Sequence, residues 1–212
     1  MPPTQQLSRK GQATRQRLLD IARDELAAHG SIEIAAVAER AGVAPSVLYR
    51  YFQGKDGLVE AVVHDFWDQY AEEVFNAPVD GELAWMPREA LRLHREVHFL
   101  YTHPLGRAVA TGLLHEAAAT RAGAIRQREQ VHAAARNIRH GQRTGQLAEH
   151  IDAGLAAAAI IGALHAMLAE ALSRDPAPPE HLVAESAAQL GAALLPAAVL
   201  PAAVVAVDGS AE

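Results

Sequence analysis

The stretch VAERAGVAPSVLYRYFQGK, residues 37–55, decides how the chain is read. Ile34, Val37, Ala38 and Ala41 make one face of a short helix that Gly42 closes. Three residues later Pro45 opens a second helix, because at the first helical position its missing N–H leaves no intrahelical bond unmade. Val47, Leu48 and Phe52 supply the buried side of that helix, and Gly54 ends it. Two short helices joined by a tight Gly-containing turn match a helix-turn-helix. The small residues Ala38, Ala41 and Gly42 let the pair approach closely, and Ser46, Tyr49, Arg50, Tyr51 and Lys55 remain as polar groups on or after the second helix. One helix of this kind fits the DNA major groove, which is about 12 Å wide.

Outward from this stretch the chain reads as helices only. A first helix is expected from Gln12 to Ala28, with Gly30 just past its end, and Ser31 is the expected N-cap of the next. From Lys55, the residues Leu58, Val59, Val62, Val63, Phe66, Trp67, Tyr70 and Val74 form a long amphipathic helix to about Phe75. Pro78 and Gly81 mark a loop. Further helices are expected from Pro87 to Tyr101, Leu105 to Ala119, Ala124 to Arg143, residues 153–172, and Glu180 to Leu195. The fold class is therefore all-α with about nine helices: a three-helix head over residues 1–54, a helical bundle over residues 55–195, and a Pro-interrupted tail over residues 196–212, expected to be disordered.

Composition agrees. The 212 residues include 46 Ala and only 5% aromatics, and Ala has the best helix propensity. The absence of cysteine excludes disulfide scaffolds, thiolate metal clusters and cysteine nucleophiles. Residues 1–17 lack the apolar core of an export signal, so a cytoplasmic protein is expected. The run AGLAAAAIIGALHAMLAEAL, residues 153–172, has the length of a membrane span, but it is largely Ala, is interrupted by Gly154 and Gly162, and has no second such run beside it; no membrane partner is expected. The net charge of −6 divides unevenly. Residues 1–55 hold eight Lys/Arg against five acids, a net of +3, and the remaining eleven basic and twenty acidic residues give the body −9. A basic module that meets an anion, attached to an acidic body, is the reading.

The same residues resemble the N-terminal domain of the TetR family of transcriptional regulators. TRQRLLDIARDELAAHG, residues 14–30, is similar to that family's first helix, and AERAGVAPSVLYRYFQGKDGL, residues 38–58, carries its strongest features: Ala-Gly-Val in the turn, Leu-Tyr-x-Tyr-Phe in the recognition helix, and Gly-Lys opening the fourth helix. The resemblance covers about residues 12–66. It implies that Tyr49 and Tyr51 contact phosphate or base edges, that Lys55 meets a phosphate, and that Pro45, Ser46 and Arg50 face the groove. Arg50 is the candidate for base readout, since Arg binds guanine O6 and N7 in a bidentate way. Arg9, Lys10, Arg15 and Arg17 are further candidates for phosphate or minor-groove contact. There are departures: Ala44 stands where the family often has a Ser or Thr cap, Ser46 replaces a frequent Gly, Val47 a frequent Thr, and Glu33 stands where a capping Thr is common.

One helix-turn-helix offers too few contacts for operator-level affinity, so a homodimer reading two half-sites is expected. Gly154, Ala158, Gly162 and Ala166 recur every four residues as a stripe of small side chains, with Ile161 and His165 beside it and Leu190 and Leu194 on the last helix; these are the candidate dimer interface, as the resemblance also implies. The larger side chains of the body, Phe66, Trp67, Tyr70, Trp85, Phe99, Tyr101 and Met167, together with His98, are the candidate lining of an effector cavity. His94 and His98 stand at i and i+4, a spacing that can place two imidazoles on one metal. HREVH lacks a Glu directly after its first His, however, and no facing E-x-x-H pair, Gly-rich phosphate loop or nucleophile motif is present. No catalytic residue, metal or cofactor is therefore expected. The function expected is a ligand-responsive regulator that binds a palindromic double-stranded DNA operator and, as a repressor, is released by an unknown small-molecule effector. The alternative is an all-helical enzyme or a metal-responsive sensor using the His94/His98 pair.

Overall fold

The computed structural model describes residues 8–79 and 83–196. Among them are nine α-helices and no strand. The expected tail, apart from Pro196, and Gly81 lie outside the described residues.

The head is α1 (Arg9–His29), α2 (Ile34–Ala41) and α3 (Pro45–Phe52). Helix α1 begins three residues before the expected Gln12, because the Ser8 side chain caps it by accepting the Gly11 N–H at 3.2 Å. Ser31 is not the cap of α2. That position belongs to Glu33, whose side chain makes no capping bond, and the Ile32 N–H just before it is held by Glu116 at 3.0 Å. Gly42 closes α2 at φ 63°, its N–H donating to Glu39 O and that of Val43 to Ala38 O, both at 3.0 Å. Leu48 and Phe52 of α3 are buried against Leu18, Leu19, Ala22 and Val37. The chain leaves α3 through Gln53, at φ 60°, ahead of Gly54.

Helix α4 (Lys55–Tyr70) links head and body and runs on through a π-helical turn, Ala71–Phe75. Its 16 residues span about 24 Å. The body adds α5 (Trp85–Thr102), α6 (Gly106–Ala110), α7 (Ala117–Arg143), α8 (Ala153–Ser173) and α9 (Glu180–Leu194). The expected helix from Leu105 to Ala119 is two elements. Gly112, at φ 70°, stops the first, and Ala117–Ala119 open α7, which therefore starts before Ala124. Helix α7 packs on α4 and α8, α8 on α9 and α6, and α9 on α5. One apolar core runs from α1 through α4 into α5, α8 and α9, and a second gathers Trp85, Ile138, Leu147 and Ala157 at the far end. Of the described helices, α8 alone is long and apolar enough to cross a membrane, with a mean hydropathy of 1.9. Its inward side, from Ala157 to Leu164, Leu168 and Leu172, belongs to the two cores.

Candidate functional site

Pro45, Ser46, Tyr49 and Arg50 lie exposed on one side of α3, opposite the buried Leu48 and Phe52. The i, i+4 repeat brings them onto one face. Tyr49 is 56% exposed, so it is not held by the core. Tyr51 is half-buried, with the Arg50 guanidinium 5.1 Å over its ring, which steadies a long side chain that would otherwise move freely in water. Of the four leading cations, Arg9 and Lys10 are exposed on the first turn of α1. The other two brace the head: Arg15 lies 5.2 Å over the Phe52 ring, and Arg17 donates to Ala41 O.

Lys55, at the start of α4, is in a different situation from the α3 residues. Its ammonium makes a 3.0 Å ion pair with Glu116, and the bond to that carboxylate raises its pKa above the usual 10.5 against the opposing effect of burial. The same Glu116 oxygen accepts the Ile32 N–H, and the His115 N–H donates to Gly30 O at 2.8 Å. Gly30 has φ 69°, and a Cβ there would stand 2.1 Å from Leu113 O, so only glycine fits beside the loop. Residues 113–116, the loop between α6 and α7, are thus fastened at two points to the head and at a third to the first residue of α4.

Two cavities open among the described residues of the body. The larger, ≈ 280 Å³, lies under Trp85 and is walled by Met86, Leu93, Ile138, Ile160 and Ile161 among others. The second, ≈ 230 Å³, lies between Trp67, Tyr70, Leu100, Val109, Ala110 and His165. Glu96 and Gln130 line both. Tyr70 Oη, Glu96 Oε1 and both polar atoms of Gln130 are buried without a well-aligned hydrogen bond. Burial pushes the Glu96 carboxyl up to about 7, and burial together with the Glu96 charge pushes the Tyr70 hydroxyl well above its usual 10.0. The Tyr70 hydroxyl acts as a hydrogen-bond partner of both Glu96 and Gln130, so the three form one buried polar cluster beside the cavities, an unusual content for an apolar body.

Several expected lining residues lie elsewhere. Trp67, Tyr70 and Trp85 do line cavities. Phe66 and Phe99 pack on each other, 5.3 Å between centroids, and on His103, deep in the core. Tyr101 turns its hydroxyl outward to donate to Pro178 O, and Met167 packs half-buried on the core. His98 is exposed and bonds Glu180 of α9 at 3.1 Å, while His94 is exposed one turn away. Among the described residues no three His, Cys, Asp or Glu gather as a metal site. On α8, Ala158, Gly162 and Ala166 are exposed and Gly154 is half-buried. Ile161 and His165 face inward to the cavities, away from that stripe, and burial lowers the His165 pKa. Leu194 is exposed and Leu190 half-buried on α9.

Glu96, Gln130 and Glu116 are absent from the candidates read in the sequence. Glu96 left a trace there, as a lone carboxylate in the apolar face Leu93, Val97, Leu100. Glu116 left none, since its contact with Ile32 closes over 84 residues.

Residues 18–62 match the family model described as bacterial regulatory proteins, tetR family. No curated protein matches the chain in sequence. Solved structures match in fold. SmeT, described as the repressor of the Stenotrophomonas maltophilia multidrug efflux pump SmeDEF, is 20% identical with a TM-score of 0.72, over 91% of this chain and 96% of that one. FadR of Bacillus subtilis, a transcriptional regulator solved with stearoyl-CoA, is 17% identical with a TM-score of 0.71, over 82% and 96%. A TetR-like regulator from Rhodococcus sp. RHA1 is 20% identical with a TM-score of 0.65, over 88% and 96%. Residues 18–62 therefore belong to the TetR family of transcriptional regulators as its helix-turn-helix DNA-binding domain, and the chain as a whole carries the fold of those regulators.

Proposed function

We propose that the protein is a homodimeric, ligand-responsive regulator, a repressor that leaves a palindromic operator when a small molecule occupies its body. The observation that carries this reading is the route from cavity to head. Val109 and Ala110 of the five-residue helix α6 wall the second cavity, and the loop that follows grips Gly30, Ile32 and Lys55. A ligand that displaces α6 pulls on the head, and if it binds better to the displaced state, DNA affinity falls reciprocally with ligand affinity. Known ligand complexes of the fold include SmeT with triclosan, 18% identical to this chain. A ligand found by thermal shift tests the mechanism: at saturation it should weaken binding to a genomic fragment selected by the protein, and unchanged affinity would refute the coupling.

In the head, Pro45, Ser46, Tyr49, Arg50 and Tyr51 face the groove and Lys55 exchanges Glu116 for a phosphate. Lys55→Ala should weaken binding to all duplexes alike and reduce the salt slope by about one, whereas Arg50→Ala should relax specificity at one position per half-site, about 1–3 kcal/mol. Competition titrations across single-base operator variants separate the two patterns; equal losses from both variants on every sequence refute the division.

The dimer forms through the exposed stripe of Gly154, Ala158, Gly162 and Ala166 with Leu190 and Leu194 of α9. A Cβ at Gly162 meets nothing within 4 Å in the single chain, so Gly162→Glu fits the protomer. It nevertheless sets two carboxylates against each other across the two-fold axis. Sedimentation should show monomers with unchanged helicity, and a dimer of undiminished affinity would place the interface elsewhere.

A further inference from the structure

Glu96 is the most exceptional residue of the body: a carboxylate with 5% of its surface exposed and one oxygen without a well-aligned hydrogen bond, bordering both cavities. Among the described residues no Lys, Arg or His forms an ion pair with it. Arg92 lines the same larger cavity but is tied to Glu89, which also holds Arg88 at 3.6 Å. The other titratable groups at the two cavities are Glu89, which lines the larger one beside Arg92, Tyr70 on α4 and His165 on α8, whose pKa burial lowers. Gln130 on α7 adds a buried amide next to Tyr70, and α9 contributes Ala188, Gly191 and the adjoining Leu195 to the larger cavity. The site therefore combines a buried acid without an ion-pair partner among the described residues, the neutral polar groups of Tyr70 and Gln130, and a mainly apolar chamber of ≈ 280 Å³ whose wall also carries the mutually neutralised Glu89–Arg92 pair. An ionised carboxylate so buried is stable only with a positive partner.

We propose that Glu96, flanked by Tyr70 and Gln130, binds the protonated amine of an amphiphilic organic cation whose apolar body fills the cavity under Trp85. This rests on the reading of the body as the effector-binding part of the chain, with Glu96 placed between the cavity under Trp85 and the one that α6 walls. The amine donates one hydrogen bond to the Glu96 carboxylate, and the Tyr70 hydroxyl and Gln130 carbonyl accept others. The walls, from Met86 and Leu93 to Ile138 and Ile160, take an aryl or alkyl chain. A neutral alcohol of the same shape satisfies the walls and leaves the carboxylate uncompensated. Because the acid titrates near neutrality, ligand binding below pH about 7 drives a proton off Glu96.

The test is calorimetry of the full-length protein with phenylbutylamine and phenylbutanol, which share a body and differ in the head group. The amine should bind wild type about ten- to a hundredfold more tightly than the alcohol, the advantage of a charge-assisted hydrogen bond. Its affinity should rise with pH through about 7, with proton release below that value. Glu96→Gln, which keeps the volume, should abolish the preference and change alcohol affinity by less than about twofold. Equal affinities in wild type, a preference that survives Glu96→Gln, no binding of the amine, or amine affinity that falls with rising pH would each overturn the cation site. DNA binding is read separately. Amine binding that leaves DNA affinity unchanged refutes the regulatory reading while the cation site stands, and release of DNA by the alcohol as readily as by the amine does the reverse.

Discussion

Glu96→Gln should make the ligand-free protein more stable, by about 3 kcal/mol above pH about 7 and by nothing below about 4.5. The sign follows from the direction of the shift. An ordinary Glu in the unfolded chain titrates near 4.5, and burial raises the folded value to about 7. Between these values the folded state holds a proton that the unfolded state has lost, so stability declines as pH rises across that window, and above it the full penalty is present. Gln has no charge to desolvate, so the penalty and its pH dependence go together. Urea unfolding of both proteins on either side of the window measures it: two parallel pH profiles would show that Glu96 is solvated or paired in solution. A side chain that destabilises its own fold where a hydrophobic or amide residue would serve is the pattern of a binding group.

Gly57→Ala is expected to destabilise the head by about 3 kcal/mol or more and to remove most DNA binding. Gly57 lies in the first turn of α4, directly against the end of α3, and a Cβ there would stand 1.9 Å from Phe52 O and 3.1 Å from its carbonyl carbon. The obstacle is backbone rather than a side-chain tip, so α3 or α4 must move as a whole. Movement of α3 tilts Tyr49 and Arg50 out of their face and opens the contact of Leu48 and Phe52 with the core. Denaturant midpoint and affinity for duplex DNA should fall together; a variant with wild-type values in both would mean that the two helices are not so closely set.

Much of this molecule was legible in its residues. The turn at Gly42, the start of α3 at Pro45 and the long apolar face of α4 are local patterns, set by backbone preference and by which side chains avoid water within a few turns of helix. The exposed face of α3 follows from the same periodicity, because burying Leu48 and Phe52 leaves Ser46, Tyr49 and Arg50 outside. The stripe of small residues on α8 was equally visible, and three of its four members, Ala158, Gly162 and Ala166, are exposed.

Other features depend on how the helices are placed. Aromatic size could not separate Phe66 and Phe99, which close the core, from Trp67, Tyr70 and Trp85, which leave space beside them. That distinction depends on where α5, α7 and α8 cross, and no short window encodes it. Nor could any local rule foresee that Lys55 would be held by Glu116 or that a loop after α6 would fasten the head, since those contacts join residues far apart in the chain. Helix identity and the exposed face of α3 are near-neighbour properties, carried by propensity and period. The cavities, the buried Glu96 between them and the linkage to the head are long-range properties, and they exist only once packing has decided which surfaces meet.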